Sequence, residues 1–210
     1  MKIAIVTNAL YNPFPEYAVI TNKLKRQYCG LHGIDYLYGE SNVHPELHPM
    51  WCKPRIMLDA IKNYDWLVWM DADAAPVGME FDIGKFLSVQ PADKVVIEPD
   101  INNYNSGVFA ISNGPRCITW MEYIESLRNL PKYQHGIRDN QAVIDSFKMP
   151  EWSGIINVPP REIGWNSYMD IYRNIYRKPL PNPYRPGDFV LHVPGASNEQ
   201  RLRIFREFDK

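Results

Sequence analysis

The chain has 210 residues with 23 Lys and Arg against 24 Asp and Glu, and this net charge of −1 gives no electrostatic pull toward nucleic acid or an anionic membrane. Its 45% hydrophobic and 22% charged residues are those of a soluble globular protein with enough chain to bury a sizeable core. The three scattered cysteines, Cys29, Cys52 and Cys117, fit neither a disulfide framework nor a zinc site, and no run of residues is long and apolar enough for a secretion signal or a membrane span, so a reducing, cytoplasmic setting is expected. Part of the 13 Tyr and 6 Trp must be core, but aromatic faces also stack on sugar rings, which leans toward carbohydrate.

Taken in chain order, Lys2–Thr7 reads as a first strand, followed by a turn at Asn12-Pro13-Phe14-Pro15. A helix is predicted over residues 16–32, with Ala18, Ile20, Leu24 and Tyr28 on its apolar side and Gly30 and Gly33 as stop signals. Residues 34–38 form a short strand, and residues 44–49 a polar loop. Pro54 opens a helix whose Ile56, Met57 or Leu58, and Ile61 face the core. Further strands are predicted over residues 66–73, 95–97, 107–111, 155–158 and 189–193, and helices over residues 116–129, 139–147 and 199–208. Pro179–Pro186 reads as an ordered surface crossing. Strands alternating with helices give an α/β layered fold with a mostly parallel sheet, in a single domain over residues 1–210.

The stretch from Tyr64 to Ala74 carries the chemistry. An apolar run, Trp66-Leu67-Val68-Trp69-Met70, ends in Asp71-Ala72-Asp73. In a strand, alternate residues share a face, so the two carboxylates are expected to point the same way. The carboxyl ends of buried strands are where α/β proteins place ligands. Paired hard oxygens suit a divalent cation that also bridges the phosphates of a nucleotide. Against this stands the frequency of Asp-x-Asp as a plain surface motif.

The order of motifs along nearly the whole chain resembles the GT-A glycosyltransferases, and most closely the galactosyl- and xylosyltransferases of glycosyltransferase family 34. Besides the first strand and Trp69-Met70-Asp71-Ala72-Asp73-Ala74, the matching pieces begin with Asn22-Lys23, Tyr28-Cys29, His32-Gly33 and Tyr36. They continue through His48-Pro49-x-Trp51-x-Lys53, Asp65-Trp66, Asn105-Ser106-Gly107-Val108-Phe109 and Asp139-Asn140-Gln141. Val158-Pro159-x-Arg161 and Gly187-Asp188-Phe189-Val190-Leu191-His192-x-Pro194-Gly195 complete them. Eukaryotic members are membrane-anchored Golgi proteins with a stem. This chain carries neither feature, which fits a cytosolic enzyme or the trimmed catalytic core of a longer protein.

The resemblance implies a GT-A fold and transfer of a hexose or related sugar (galactose, glucose, xylose) from a UDP-sugar to a carbohydrate acceptor, by a retaining route. It assigns Asp71, Asp73 and His192 to a metal site holding Mn²⁺, with Mg²⁺ as the alternative. An imidazole beside carboxylates favours the former. A histidine satisfied within the core is the competing reading of His192. Ala72 and Gly195 join the donor-binding set. Thr7 and Asn8 would read uracil and ribose, Tyr11 would stack on the base, and Lys53, with Arg201, would meet the phosphates. Asn105, Ser106 and Gly107 would hold the donor sugar, with Gly107 letting the backbone come close. Asp139 and Gln141 would border the anomeric carbon, and Trp165, Asn166 and Tyr168 would offer an acceptor platform or simply pack. Two readings remain beside this one: an inverting enzyme of the same fold with Asp139 as base, and a non-catalytic sugar- or nucleotide-binding module. A nucleotidyltransferase is disfavoured, since no Gly-rich triphosphate loop follows the first strand.

Overall fold

The computed structural model describes residues 1–11, 13–171 and 177–209, so Asn12 of the predicted turn lies outside the described residues. Strand β1 (Ile3–Asn8) is buried almost throughout, as its β-branched run requires. Helix α1 (Glu16–His32) starts after extended Pro15 and stops at left-handed Gly33, whose N–H returns to the Cys29 carbonyl. It buries Ala18, Ile20, Leu24 and Tyr28, the predicted face, and Gly30 lies inside it rather than at its end. Strand β2 (Asp35–Gly39) follows. Pro49 begins a 3₁₀ turn (Pro49–Trp51) that leads into α2 (Cys52–Ile61), so Pro54 sits in the first turn of the helix and does not open it. Met57 and Ile61 are the fully buried residues of its predicted stripe.

Strand β3 (Trp66–Met70) is buried at every position, and is followed by β4 (Ala74–Pro76) and α3 (Ile83–Ser88). Strands β5 (Val95–Asp100) and β6 (Asn103–Ser112) form a hairpin, with β6 extending further toward its start than the predicted 107–111. Helix α4 (Pro115–Ser126) runs on into a 3₁₀ turn, and α5 (Arg138–Ser146) matches its expected place. Short strands β7 (Ile156–Asn157), β8 (Ser167–Tyr168) and β9 (Val190–His192) precede α6 (Asn198–Arg206). A reciprocal capping box between Ser197 and Gln200 starts that last helix.

The main sheet has the order β2-β1-β3-β6-β5-β7. Strands β1, β2 and β3 are mutually parallel, as are β5 and β7, and only β6 runs against its neighbours. The sheet is thus mixed and mostly parallel, with helices on its faces and an apolar core cluster on each side. A second sheet, β4-β9-β8, packs with α1 and α6 around a third cluster that includes Leu24, Leu191, Val193 and Phe205. The expected α/β architecture, a mixed and mostly parallel sheet flanked by helices, is borne out. The carboxyl ends of β1 and β3 and the first residues of β6 meet at one edge, and the small sheet abuts them there.

The motif residues Arg161 and Asp188 brace β8 of that small sheet. The buried Asp188 carboxylate accepts from Ser167 Oγ at 2.6 Å and from the Arg185 N–H at 2.9 Å, with the Arg161 guanidinium at 3.4 Å. A side chain on left-handed Gly164 would collide with Asp188, its Cβ falling 2.3 Å from the Asp188 Cβ. The proline-rich crossing is ordered as expected. Its Asn182 side chain donates to the Pro99 carbonyl, the Tyr168 N–H donates to the Asn182 carbonyl, and the Tyr184 N–H donates to the Tyr168 carbonyl. The three cysteines are buried and free. No helix among the described residues is long and apolar enough to cross a membrane.

Candidate active site

Strand β3 ends at Met70, paired with Val108 of β6. Asp71 still donates its N–H to the Gly107 carbonyl at 2.8 Å, and then the chain turns, with the Ala74 N–H returning to the Asp71 carbonyl at 3.1 Å. Asp71 and Asp73 therefore lie in a turn between two sheets, not along a strand as expected. The physical reason is that β3 must leave β6 so that β4 can pair with β9. The turn still brings the carboxylates together, and the Ala74–His192 register sets the imidazole beside them. One ligand atom from each of Asp71, Asp73 and His192 lies within 4.8 Å of the others, which fits the donor set of a divalent cation.

Asp71 is held from the main sheet. Its Oδ1 accepts from the Trp69 indole N–H at 2.6 Å and lies 3.2 Å from Lys53 Nζ. Lys53, on α2, is 4% exposed and also contacts Asp139 Oδ2 at 2.9 Å, the Ser106 carbonyl at 2.9 Å and Ser106 Oγ at 3.2 Å. Burial pulls its pKa down, but Asp139 and Asp71 outweigh burial and hold it above the ordinary lysine value. Its charge is already shared by two carboxylates, so the expected role of meeting a phosphate does not follow from this geometry. Burial raises the Asp139 carboxyl above its ordinary pKa, with Asp71 adding to the rise and Lys53 opposing it.

Asp73 is held from the small sheet and α6. Its Oδ1 lies 3.4 Å from His192 Nε2, and its Oδ2 pairs with Arg201 Nη2 at 2.7 Å. Burial works against its ionisation, yet His192 and Arg201 hold its pKa below the usual carboxylate range. Arg201 is anchored through Nε to the Val193 carbonyl at 3.0 Å and lies over the Tyr17 ring. His192 is 1% exposed, with Nδ1 3.1 Å from Asn166 Oδ1.

A cleft of about 270 Å³ opens over these groups. Among the expected donor-binding residues, Asn8, Tyr11, Lys53, Ala72, Asn105, Ser106, Gly107 and Gly195 line it, as do Asp71, Asp73 and His192. Three expected residues do not line it. Thr7 is wholly buried, and its hydroxyl accepts from Lys25 Nζ at 3.1 Å beneath the turn. Asp139 is 1% exposed under Ser106 and Asn140. Gln141 turns the other way on α5, donating to Asp145 Oδ1 at 3.0 Å. One helical step separates the face of Asn140, which reaches the cleft, from that of Gln141.

Gly107 has a requirement that the sequence does not show. A Cβ there would fall 2.2 Å from His192 Cε1, so the missing side chain makes room for the imidazole beside the cleft that Gly107 lines. Trp165, Asn166 and Tyr168 are all fully buried and form no acceptor platform.

Two residues of consequence escaped the sequence reading. Lys25 is fully buried on α1, and donates to the Asp71 carbonyl at 2.9 Å as well as to Thr7. Burial lowers its pKa to about 7. Asn140 accepts the Ser106 N–H at 2.6 Å and donates to the Tyr104 carbonyl at 3.2 Å, fixing the first turn of α5 to β6. A lysine in the middle of an amphipathic helix looks solvated from sequence. Its place on the helix face shared by Ala18, Thr21 and Tyr28, all buried, was the signal that it faces inward.

A sequence profile of the galactosyl transferase GMA12/MNN10 family matches residues 5–92. Galactomannan galactosyltransferase 1 of Cyamopsis tetragonoloba is 27% identical over 149 residues, covering 63% of this chain and 34% of that protein. Putative glycosyltransferase 7 of Arabidopsis thaliana is 31% identical over 219 aligned positions, covering 93% of this chain and 46% of that protein. The chain thus spans less than half the length of these relatives. Among solved structures, a glycosyltransferase involved in glycosylation of the major capsid of PBCV-1 superposes with a TM-score of 0.77 at 17% identity, covering 98% of this chain and 100% of the other. The galactosyltransferase LgtC, solved with donor and acceptor sugar analogs, gives 0.58 at 12% identity over 100% and 97% of the two chains. The structural likenesses show the fold.

Proposed function

We propose that this chain, a GT-A domain of the family 34 glycosyltransferase type, transfers a hexose from a UDP-sugar to a carbohydrate acceptor, with residues 1–210 acting as one catalytic domain. The observation that carries the reading is the convergence of Asp71, Asp73 and His192 at the floor of the cleft where β1 and β3 end. Two carboxylates and an imidazole would hold Mn²⁺, which when bound supplies Lewis-acid stabilisation of a diphosphate leaving group.

The chain's own residues divide the remaining work. Asn8 Nδ2 is buried without a hydrogen-bond partner at the cleft wall, which suits a donor aimed at an oxygen of the base or ribose. Tyr11, 48% exposed, leaves a ring face for stacking. Arg201 already stands at Asp73, within reach of negative charge brought to the metal site. Lys53 holds Asp71 and Asp139 in place through its contacts with both carboxylates.

The buried Asp139–Lys53 pair favours a retaining reaction over an inverting one. A base that deprotonates an acceptor must reach it, and a carboxylate 1% exposed and ion-paired is badly placed to do so. In the retaining route the departing phosphate helps deprotonate the acceptor on the same face, and Asp139 orients the groups above it. The donor is expected to be a galactose-type UDP-sugar.

Calorimetric titration of UDP, UDP-galactose, UDP-glucose and UDP-xylose, with and without Mn²⁺, tests the assignment on the native chain and on Asp73→Ala. Metal-dependent binding that disappears in the variant supports it, and the tightest sugar names the donor. No binding of any uridine nucleotide would overturn it, and binding without turnover against a panel of acceptors would favour the non-catalytic module. The anomeric proton of the product, read by NMR, separates retention from inversion.

A further inference from the structure

His192 has two ring nitrogens, and only one can face a cation. Nε2 lies toward Asp73, and Nδ1 lies 3.1 Å from the side-chain oxygen of Asn166. A carbonyl oxygen only accepts, so this contact requires the proton to be on Nδ1, leaving the lone pair on Nε2.

Asn166 is fully buried, its backbone N–H donates to Glu98 Oε2 at 2.7 Å, and its Nδ2 donates to the Tyr168 hydroxyl at 2.8 Å. Tyr168 is fully buried and pairs with His192 in the β8–β9 register, its ring 5.7 Å from the imidazole. This orientation sets the amide oxygen against Nδ1. The reversed amide, with the phenol donating to its oxygen, would move the imidazole proton onto Nε2, toward Asp73 and the cation position, so the direction of the Asn166–Tyr168 bond and the tautomer of His192 are coupled.

We infer that Asn166 is a positioning residue that fixes the tautomer and ring orientation of His192, with Tyr168 and Glu98 holding Asn166 in turn. The partner is a neutral amide, and there is a reason for that. The site already gathers Asp71 and Asp73, and a third carboxylate against the imidazole would bury further negative charge. Glu98 reaches the network through the Asn166 backbone N–H. Metal-binding histidines are commonly oriented in this way by the group on their second nitrogen. The consequence for metal affinity rests on the metal reading of the site proposed above; the tautomer assignment does not.

The experiment is carried out on the full chain, metal-free, at about pH 8, where an ordinary imidazole is neutral. Nitrogen-15 spectra of the histidines report the protonated nitrogen of His192, and a Mn²⁺ titration followed by electron paramagnetic resonance reports affinity. The native protein is expected to show the Nδ1–H form. In Asn166→Leu that preference is lost and Mn²⁺ affinity falls about 10- to 100-fold. Asn166→Asp, still able to accept from Nδ1–H, restores the tautomer and most of the affinity. Tyr168→Phe, which keeps the core filled if Asn166→Leu does not fold, releases the amide and gives a mixture of tautomers. An Nε2–H form in the native protein overturns the inference. So does Mn²⁺ affinity within about twofold of native once the tautomer is lost. A tautomer that follows Asn166 in a protein that binds no Mn²⁺ upholds the assignment and removes the metal reading instead.

Discussion

Asp71 and Asp73 are separated by one residue in a single turn, yet they belong to differently built halves of the molecule. Asp71 faces a lysine locked among Asp139 and Ser106 in the wall of the main sheet. Asp73 faces an arginine on α6 whose side chain is 16% exposed at the rim of the cleft. The two cations are of opposite kinds. Lys53 is part of the fold, since removing it would strand the buried Asp139 carboxylate. Arg201 is the counter-charge of Asp73. On the metal reading proposed above, an incoming divalent ion would take the place of Arg201 and free it toward phosphate, so that a pair which looks symmetrical in sequence would have one fixed and one exchangeable partner.

The contrast is broken most severely at Lys53. Lys53→Met leaves Asp139 buried and unpaired beside Asp71, and should lower unfolding free energy by about 3–5 kcal/mol, measured by denaturant titration. A second test uses pH. Glu98, 2% exposed beneath Asn166, has its pKa raised to about 7 by burial, against an opposing bond from the Asn166 N–H. The folded state therefore holds the Glu98 proton over a range where the unfolded chain has lost it. The stability this contributes is complete below about pH 4.5 and is lost as pH rises through about 7. Glu98→Gln should remove that slope, gaining on the native protein by on the order of 2–3 kcal/mol between these limits in pH-resolved unfolding curves.

Gly107→Ala should act on the cleft and the fold together. The added methyl must displace the buried His192 ring, so Mn²⁺ affinity should fall about 10- to 100-fold and unfolding free energy by about 1–3 kcal/mol, read by metal titration and denaturant unfolding. The smallest effect sharpens the comparison. Arg201→Met should strengthen binding of Mn²⁺ alone by about three- to tenfold, because the metal no longer competes with a guanidinium worth about 1 kcal/mol to Asp73, and should weaken UDP binding in the presence of metal. Tighter metal and looser nucleotide in one variant, seen by calorimetry, is the signature of an exchangeable partner. A loss of both would show that Arg201 is a fixed strut like Lys53.

Much of the fold was legible because its elements are long and strongly patterned. The first strand, α1 with its Gly33 stop, and the buried run of β3 were all readable from period and punctuation. Strands β4 and β8 and the helix α3 were not, because two to six residues cannot display a period. That gap explains the misreading of Asp-x-Asp as strand: without β4, nothing signals that the chain must change sheets after Met70. The residue types of the site were legible, but which of them reach the cleft was not. Gln141 and Thr7 miss it by one position on a helix and a strand, where a single step reverses or rotates the side chain. Asn166 was noticed only as a polar residue among aromatics, and its use depends on the pairing of β8 with β9, which no local pattern shows.

The Asp73–His192 pairing joins the first half of the chain to its last strand. As the polypeptide leaves the ribosome, β1, β3 and the two aspartates emerge long before β9 does. On the metal reading proposed above, a half-made chain has carboxylates but no chelate, and little to gain from capturing a cation early. The three side chains come together only when the final strand docks, so on that reading completion of the fold and the capacity to hold a metal are the same event.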